Sequence, residues 1–218
     1  MTTAIIFDMD GTLFQTNLIL EPALEATFDV LRANGEWSGA TPIEKYREIM
    51  GVPLPVVWAT LCPKHSMEQH VTSNQLFQEA LITQIKRGKG ALYEGVEATL
   101  AQLSKDHSLY IASNGQTAYL QAIVEQYQLE RFINGVYSID LIASGNKSEL
   151  VQFVKEQNNI EAGYVVGDRA SDINAARHNQ LTSIGVRFDF AQESELAQAD
   201  YVVDDFNNIF PLVLSNKV

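Results

Sequence analysis

Past residue 107, short apolar runs alternate with stripes at helical spacing, and this alternation limits the fold more than any other feature. Leu109-Tyr110-Ile111-Ala112 precedes a helical pattern near 117–127, Val136-Tyr137-Ser138-Ile139 one near 148–157, and Tyr164-Val165-Val166 one near 171–177. Thr182-Ser183-Ile184-Gly185-Val186 and Tyr201-Val202-Val203 are two further strand candidates. A sixth run, Ala4-Ile5-Ile6-Phe7, stands at the start and stops at Asp8-Met9-Asp10-Gly11. Strands joined through helices make right-handed crossovers, so they predict a mostly parallel sheet covered on both faces. With 46% hydrophobic residues, the chain can bury such a core.

Between the first strand and the rest the pattern is helical. Leu20, Leu24, Phe28 and Leu31 share one helix face, as do Phe77, Leu81 and Ile85. Gly35 suits the end of the first of these helices, and Pro42, Pro53, Pro55 and Pro63 divide the remainder. The sequence therefore predicts an α/β class: a Rossmann-like parallel-sheet core of residues 1–16 and 87–218, with an inserted α-helical cap domain of residues 17–86.

Charge excludes one class of partner. Twenty-seven acidic against 15 basic residues give a net charge of −12, which repels a nucleic-acid polymer but leaves room for a small phosphorylated metabolite in a local site. A single cysteine excludes a disulfide framework. No run approaches the roughly 20 apolar residues of a membrane span, and the first residues lack a basic and apolar leader pattern. The expectation is a cytoplasmic protein with no membrane partner. Nothing in the sequence chooses between monomer and homodimer.

Ligands of open parallel sheets bind at the carboxyl ends of the strands. There the sequence places Asp8, Asp10, Gly11 and Thr12; Ser113, Asn114 and Gly115; Lys147; and Asp168 with Asp172. Four converging carboxylates repel unless they share protons or a cation, and a hard ion such as Mg²⁺ fits oxygen ligands plus a phosphate. The Ser113 hydroxyl, the backbone N–H groups of Gly11-Thr12 and Asn114-Gly115, and the Lys147 ammonium are donors suited to phosphoryl oxygens. An aspartate beside both can act as a nucleophile, and a second one two residues on can serve as acid and base.

Asp8-Met9-Asp10-Gly11-Thr12-Leu13, Ser113-Asn114-Gly115, Lys147 and Gly167-Asp168-Arg169-Ala170-Ser171-Asp172, in this order and each after a strand, resemble the four motifs of the haloacid dehalogenase superfamily. The chain is similar to its phosphoglycolate-phosphatase and β-phosphoglucomutase branch, whose helical cap enters where the insert lies here. The resemblance implies a phosphatase with an aspartyl-phosphate intermediate. Asp8 would be nucleophile and metal ligand, and Asp10 acid/base with its carbonyl on the metal. Ser113 and Lys147 would bind the phosphoryl group; Asp168 and Asp172 would hold or support Mg²⁺. The alternatives are a phosphomutase of the same branch, a non-catalytic phospho-acceptor and a binding protein that has lost activity. A phospho-acceptor receiver domain is disfavoured by the insert of residues 17–86. His178-Asn179 replaces a common Ala-Gly, and Asn179 is expected to keep the turn by tolerating a left-handed backbone.

In the insert, Tyr46, Arg47, Met50, Gly51 and Trp58 are candidates to face a substrate. Arg47 suits a carboxylate or phosphate, or an ion pair with Glu44 or Glu48; for Met50 and Trp58, packing of the insert's own core is the stronger reading. Cys62, His65 and His70 match no zinc spacing, and a fourth ligand is missing.

Overall fold

The computed structural model describes every residue except 1, 2, 50, 51, 53, 217 and 218. Met50 and Gly51 thus lie outside the described residues. The chain divides into two compact units, Met1–Gln15 with Ala91–Val218, and Thr16–Gly90.

In chain order, β1 (Ala4–Phe7) precedes the four helices of the second unit. These are α1 (Asn17–Ala33), α2 (Ile43–Glu48), α3 (Leu54–Leu61) and α4 (Met67–Lys86). The first unit resumes with α5 (Val96–Leu103), β2 (Ser108–Ser113), α6 (Thr117–Gln126) and β3 (Gly135–Ser138). It continues through α7 (Lys147–Asn158), β4 (Gly163–Gly167), α8 (Ala170–His178) and β5 (Thr182–Val186). It ends with α9 (Glu193–Leu196), β6 (Tyr201–Val203) and α10 (Ile209–Ser215).

The six strands form one sheet in the order β3-β2-β1-β4-β5-β6, and every pairing is parallel. β1 is central: Ile6 sits in register between Tyr110 and Val165. Covered on both faces, it has no polar alternation; all four of its residues are buried. The order reverses direction at β1, between β2 and β4, so their carboxyl ends flank the crevice where open α/β sheets take ligands. One face of the sheet packs Ala4, Ile6, Tyr110 and Val165 against Leu150, Val151 and Val154 of α7 and Ala175 and Ala176 of α8.

In the second unit α1 packs against α4, and the two predicted stripes are buried. Trp58 is buried between Phe28 and Phe77, and its Nε1–H donates to Asn74 Oδ1 at 3.1 Å. Ser66 and Gln69 cap α4 reciprocally, and Gly88, at φ +69°, closes its far end. His65 bonds the Glu36 carbonyl and His70 the Cys62 carbonyl, both at 2.8 Å. Burial pushes the Cys62 thiol up to about 11, with Lys45 opposing. Among the described residues no helix is long and apolar enough to cross a membrane.

The turn after α8 departs from expectation. Asn179 has φ −94°, and the left-handed residue is Gln180 at φ +57°. Asn179 acts through its side chain instead: Nδ2 donates to the Ser148 carbonyl at 2.9 Å and to that of Ala175 at 2.8 Å. It thereby ties α8 to the start of α7, next to Lys147.

Candidate active site

Asp8 is the first residue past β1, and its N–H extends the ladder to the Val166 carbonyl at 2.9 Å. The chain then reverses sharply: the N–H groups of Leu13 and Phe14 both reach the Met9 carbonyl, at 3.0 and 2.9 Å. Gly11 permits this turn twice over. Its φ is +72°, and a Cβ there would lie 2.5 Å from Asp168 Oδ2. Gly11→Ala is therefore expected to cost about 1–2 kcal/mol of backbone strain and to push the Asp168 carboxylate aside. Chemical denaturation and Mg²⁺ titration would check this; unchanged stability together with unchanged cation affinity would refute it.

The second element is Lys147, at the first position of α7, after Asn146 caps that helix by accepting the Ser148 N–H at 2.8 Å. Its Nζ is buried and lies 2.7 Å from Asp8 Oδ1 and 2.5 Å from Asp172 Oδ1. Asp168 and Asp172 follow β4, and Asp172 also accepts the Arg169 N–H at 3.1 Å. Gly167 leaves space for Asp172, since a Cβ on it would lie 2.1 Å from that residue's Cγ.

One ammonium thus faces three buried carboxylates, Asp8, Asp168 and Asp172, which each offer an oxygen within 4.8 Å of the others. Burial raises all three acids. Asp8 is raised by it, with Lys147 opposing and Asp10 adding. Asp168 is driven well above the carboxylate range by burial and then by Asp172 and Asp8. Asp172 is pushed up to about 6 by burial, with Lys147 opposing and Asp8 adding. Burial alone would lower Lys147, but Asp172 and Asp8 hold it above its ordinary value. Three negative groups against one positive leave the cluster two charges short of neutral when ionised. Asp168 Oδ1, fully enclosed, has no hydrogen-bond partner among the described residues. An oxygen-only donor set with a charge deficit and an unmatched buried oxygen suits a hard divalent cation.

Asp10 stands slightly apart. Its carboxylate is not in this three-acid group; Oδ1 accepts the Tyr119 hydroxyl at 2.5 Å. Ser113 ends β2 one residue beyond the level of Asp8, because Phe7 is in register with Ile111. It is buried, and its Oγ accepts the Gly115 N–H at 3.1 Å. Asn114 is exposed, while Thr12 is fully buried and its Oγ1 has no hydrogen-bond partner among the described residues. Arg47, in the second unit, pairs with Glu44 at 2.8 Å and Glu21 at 3.1 Å. The Glu44 pair is one the helical spacing offered; the Glu21 pair crosses from α2 to α1.

Two supporting residues escape a reading by motif. Glu195 holds the loop behind Asp168, accepting from Arg169 Nε at 2.9 Å and the Ala170 N–H at 2.7 Å. Nothing local in its sequence context marks it, since its partners lie 26 and 25 positions away. Tyr119 is the other.

Residues 5–186 match the family model described as haloacid dehalogenase-like hydrolase. The phosphoglycolate phosphatase of Vibrio cholerae is 26% identical over 224 residues, covering 96% of each chain. The 5'-nucleotidase of Pseudomonas aeruginosa is 23% identical, covering 88% of this chain and 86% of its own. Among solved structures, CbbY of Rhodobacter sphaeroides in complex with phosphate superposes with a TM-score of 0.81 at 19% identity, covering 96% of each chain.

Proposed function

The chain belongs to the haloacid dehalogenase-like hydrolases, and from that premise we propose a Mg²⁺-dependent phosphatase of a small phosphate monoester. The supporting observation is the Asp8 carboxylate, buried at a strand end, 2.7 Å from a buried lysine and inside a three-acid group. Asp8 attacks phosphorus; the new carboxylate–phosphorus bond forms as the ester oxygen leaves with a proton from Asp10. Asp10 then takes a proton from water, whose oxygen displaces the Asp8 carboxylate and releases inorganic phosphate. Lys147 and Ser113 bind the phosphoryl oxygens, assisted by the Asn114 N–H; the N–H groups of Gly11, Thr12 and Gly115, which donate to the Phe14 carbonyl, the Met9 carbonyl and Ser113 Oγ, would assist by exchanging those acceptors for the ligand. Asp8, Asp168, Asp172 and the Asp10 carbonyl would hold Mg²⁺, whose chemistry is to offset charge on those oxygens.

Phosphoglycolate and a nucleotide are the two substrates favoured by the relatives of Vibrio cholerae and Pseudomonas aeruginosa. A hydrolysis screen over phosphorylated metabolites, with and without Mg²⁺, tests the proposal. Release of inorganic phosphate supports a phosphatase. Accumulation of an isomeric sugar phosphate would replace it with a mutase, and a stable phosphoprotein with a phospho-acceptor.

Metal binding has a signature in stability. An acid whose folded pKa is raised contributes stability below its unfolded value and loses it as pH rises through the folded one. For Asp172 that window runs from 3.8 to about 6. Without a divalent cation the fold therefore carries a penalty at pH 7.5 that protons remove at pH 5. Mg²⁺ at a hundredfold its Kd is expected to raise the melting temperature by about 5–10 °C at pH 7.5. The shift at pH 5 should be much smaller, because protons compete for the same oxygens; equal shifts at both pH values would contradict the assignment.

A further inference from the structure

The phenol of Tyr119 is buried in the first unit and donates to one named oxygen of the proposed acid/base, Asp10 Oδ1, at 2.5 Å. Its placement is built from several directions. Tyr119 is the third residue of α6. The Asp140 carboxylate anchors that helix start, accepting both the N–H and the hydroxyl of Thr117 at 2.8 Å. The preceding loop is held by Ser138, whose hydroxyl donates to the Gly115 carbonyl at 2.7 Å. Gly115 has no side chain to interpose: a Cβ there would come within 3.0 Å of Tyr119 Cδ1 and 2.9 Å of Leu120 Cδ2. The ring is packed against the segment that follows Ser113, at Gly115, and its hydroxyl reaches from there to the turn that carries Asp10.

We propose that Tyr119 is a positioning residue that fixes the Asp10 carboxyl group, so that the proton given to the leaving oxygen is carried on Oδ2. This rests on the phosphatase reading. A carboxylic acid whose Oδ1 already accepts a strong hydrogen bond presents its own proton on the other oxygen, with the plane of the group set by the phenol. During transfer, the Asp10 Oδ2–H bond breaks as the proton joins the ester oxygen. The phosphorus–oxygen bond of the ester breaks, and the bond to Asp8 forms. Tyr119 keeps its proton throughout, and its hydrogen bond to Oδ1 strengthens as Asp10 becomes a carboxylate. With its proton donated to Asp10 Oδ1, the phenol has the geometry of an orienting group, and the attack on phosphorus is left to Asp8.

The test separates proton delivery from general damage. A nitrophenolate leaves phosphorus with little need for a proton, whereas an alkoxide depends on one. Tyr119→Phe removes only the hydroxyl. With Mg²⁺ present, kcat/KM is measured for p-nitrophenyl phosphate and for glycerol 2-phosphate in wild type and variant. The expected result is a loss of about tenfold or more for the alkyl ester and less than about threefold for the aryl ester. Their ratio does not depend on the fraction of folded enzyme, so partial misfolding cannot produce the effect. If the wild type hydrolyses both esters and the variant's ratio stays within threefold of the wild-type ratio, Tyr119 has no positioning role. If the wild type hydrolyses neither ester, the phosphatase reading falls and takes this role with it.

Discussion

Asp8→Asn is expected to reduce phosphate-ester hydrolysis by on the order of 10³-fold or more while making the cation-free protein more heat-stable at neutral pH. The two effects have one source. The carboxylate is both the proposed attacking group and one of three acids crowded around a single ammonium, with oxygens within 4.8 Å of one another. Asparagine has the same shape but a poor nucleophile for an oxygen. It also removes one unit of buried negative charge, so the local surplus falls from two to one. Lys147 is not stranded by the change, because Asp172 Oδ1 remains at 2.5 Å. Steady-state assay on p-nitrophenyl phosphate and calorimetry without divalent cations give the two readouts. More than about one-hundredth of wild-type activity would remove Asp8 from the mechanism. A lower melting temperature would show that the acid is stabilising where it stands, against its raised pKa.

How much of this was visible in the chain itself follows from what each feature depends on. The strands were legible because a central parallel strand is apolar throughout, and Ala4–Phe7 is buried at every position. The acids after β1 and β4 were legible because strand ends converge by topology, whatever their separation in sequence. Helices α5, α9 and α10 lie outside the helical stretches that the sequence pattern marks. The first and last have only 8 and 7 residues, α10 carries Pro211, and α9 has 4. α9 and α10 are too short to give a periodic signal of their own and form through tertiary packing, whereas α5 does carry one, with Val96, Leu100 and Leu103 on one face, but over only 8 residues. Tyr119 gave no signal because an aromatic at helical spacing reads as core, and it is core but for one oxygen. Asn179 shows the limit in the other direction. Its identity pointed to a left-handed backbone, yet Gln180 takes that conformation while the asparagine side chain bridges two helices. Trp58 went the way that packing favours, between Phe28 and Phe77.

Removing the opposite partner should have the opposite sign. Lys147→Met keeps a long side chain but leaves Asp8 and Asp172, each buried, with no positive group between them. Breaking a buried ion pair from one side typically costs about 3–5 kcal/mol, and the cost here is limited by proton uptake. For the cation-free protein at pH 7.5 this corresponds to a fall of roughly 10 °C in melting temperature. The deficit should shrink at pH 5, because both acids already have raised pKa values and lose the ammonium that opposed the rise. Mg²⁺ should restore part of it by supplying charge to the same oxygens. Activity should not recover with it: Lys147 is proposed to touch the transferring phosphoryl group, a contact worth about 10²–10³-fold in kcat for comparable donors. The double variant Asp8→Asn with Lys147→Met should be less destabilised than Lys147→Met alone, since one of the two stranded charges is gone. Equal losses in the single and double variants would mean that Lys147 serves α7 packing and not the charge of Asp8. The ion pair at 2.7 Å would then be incidental to stability.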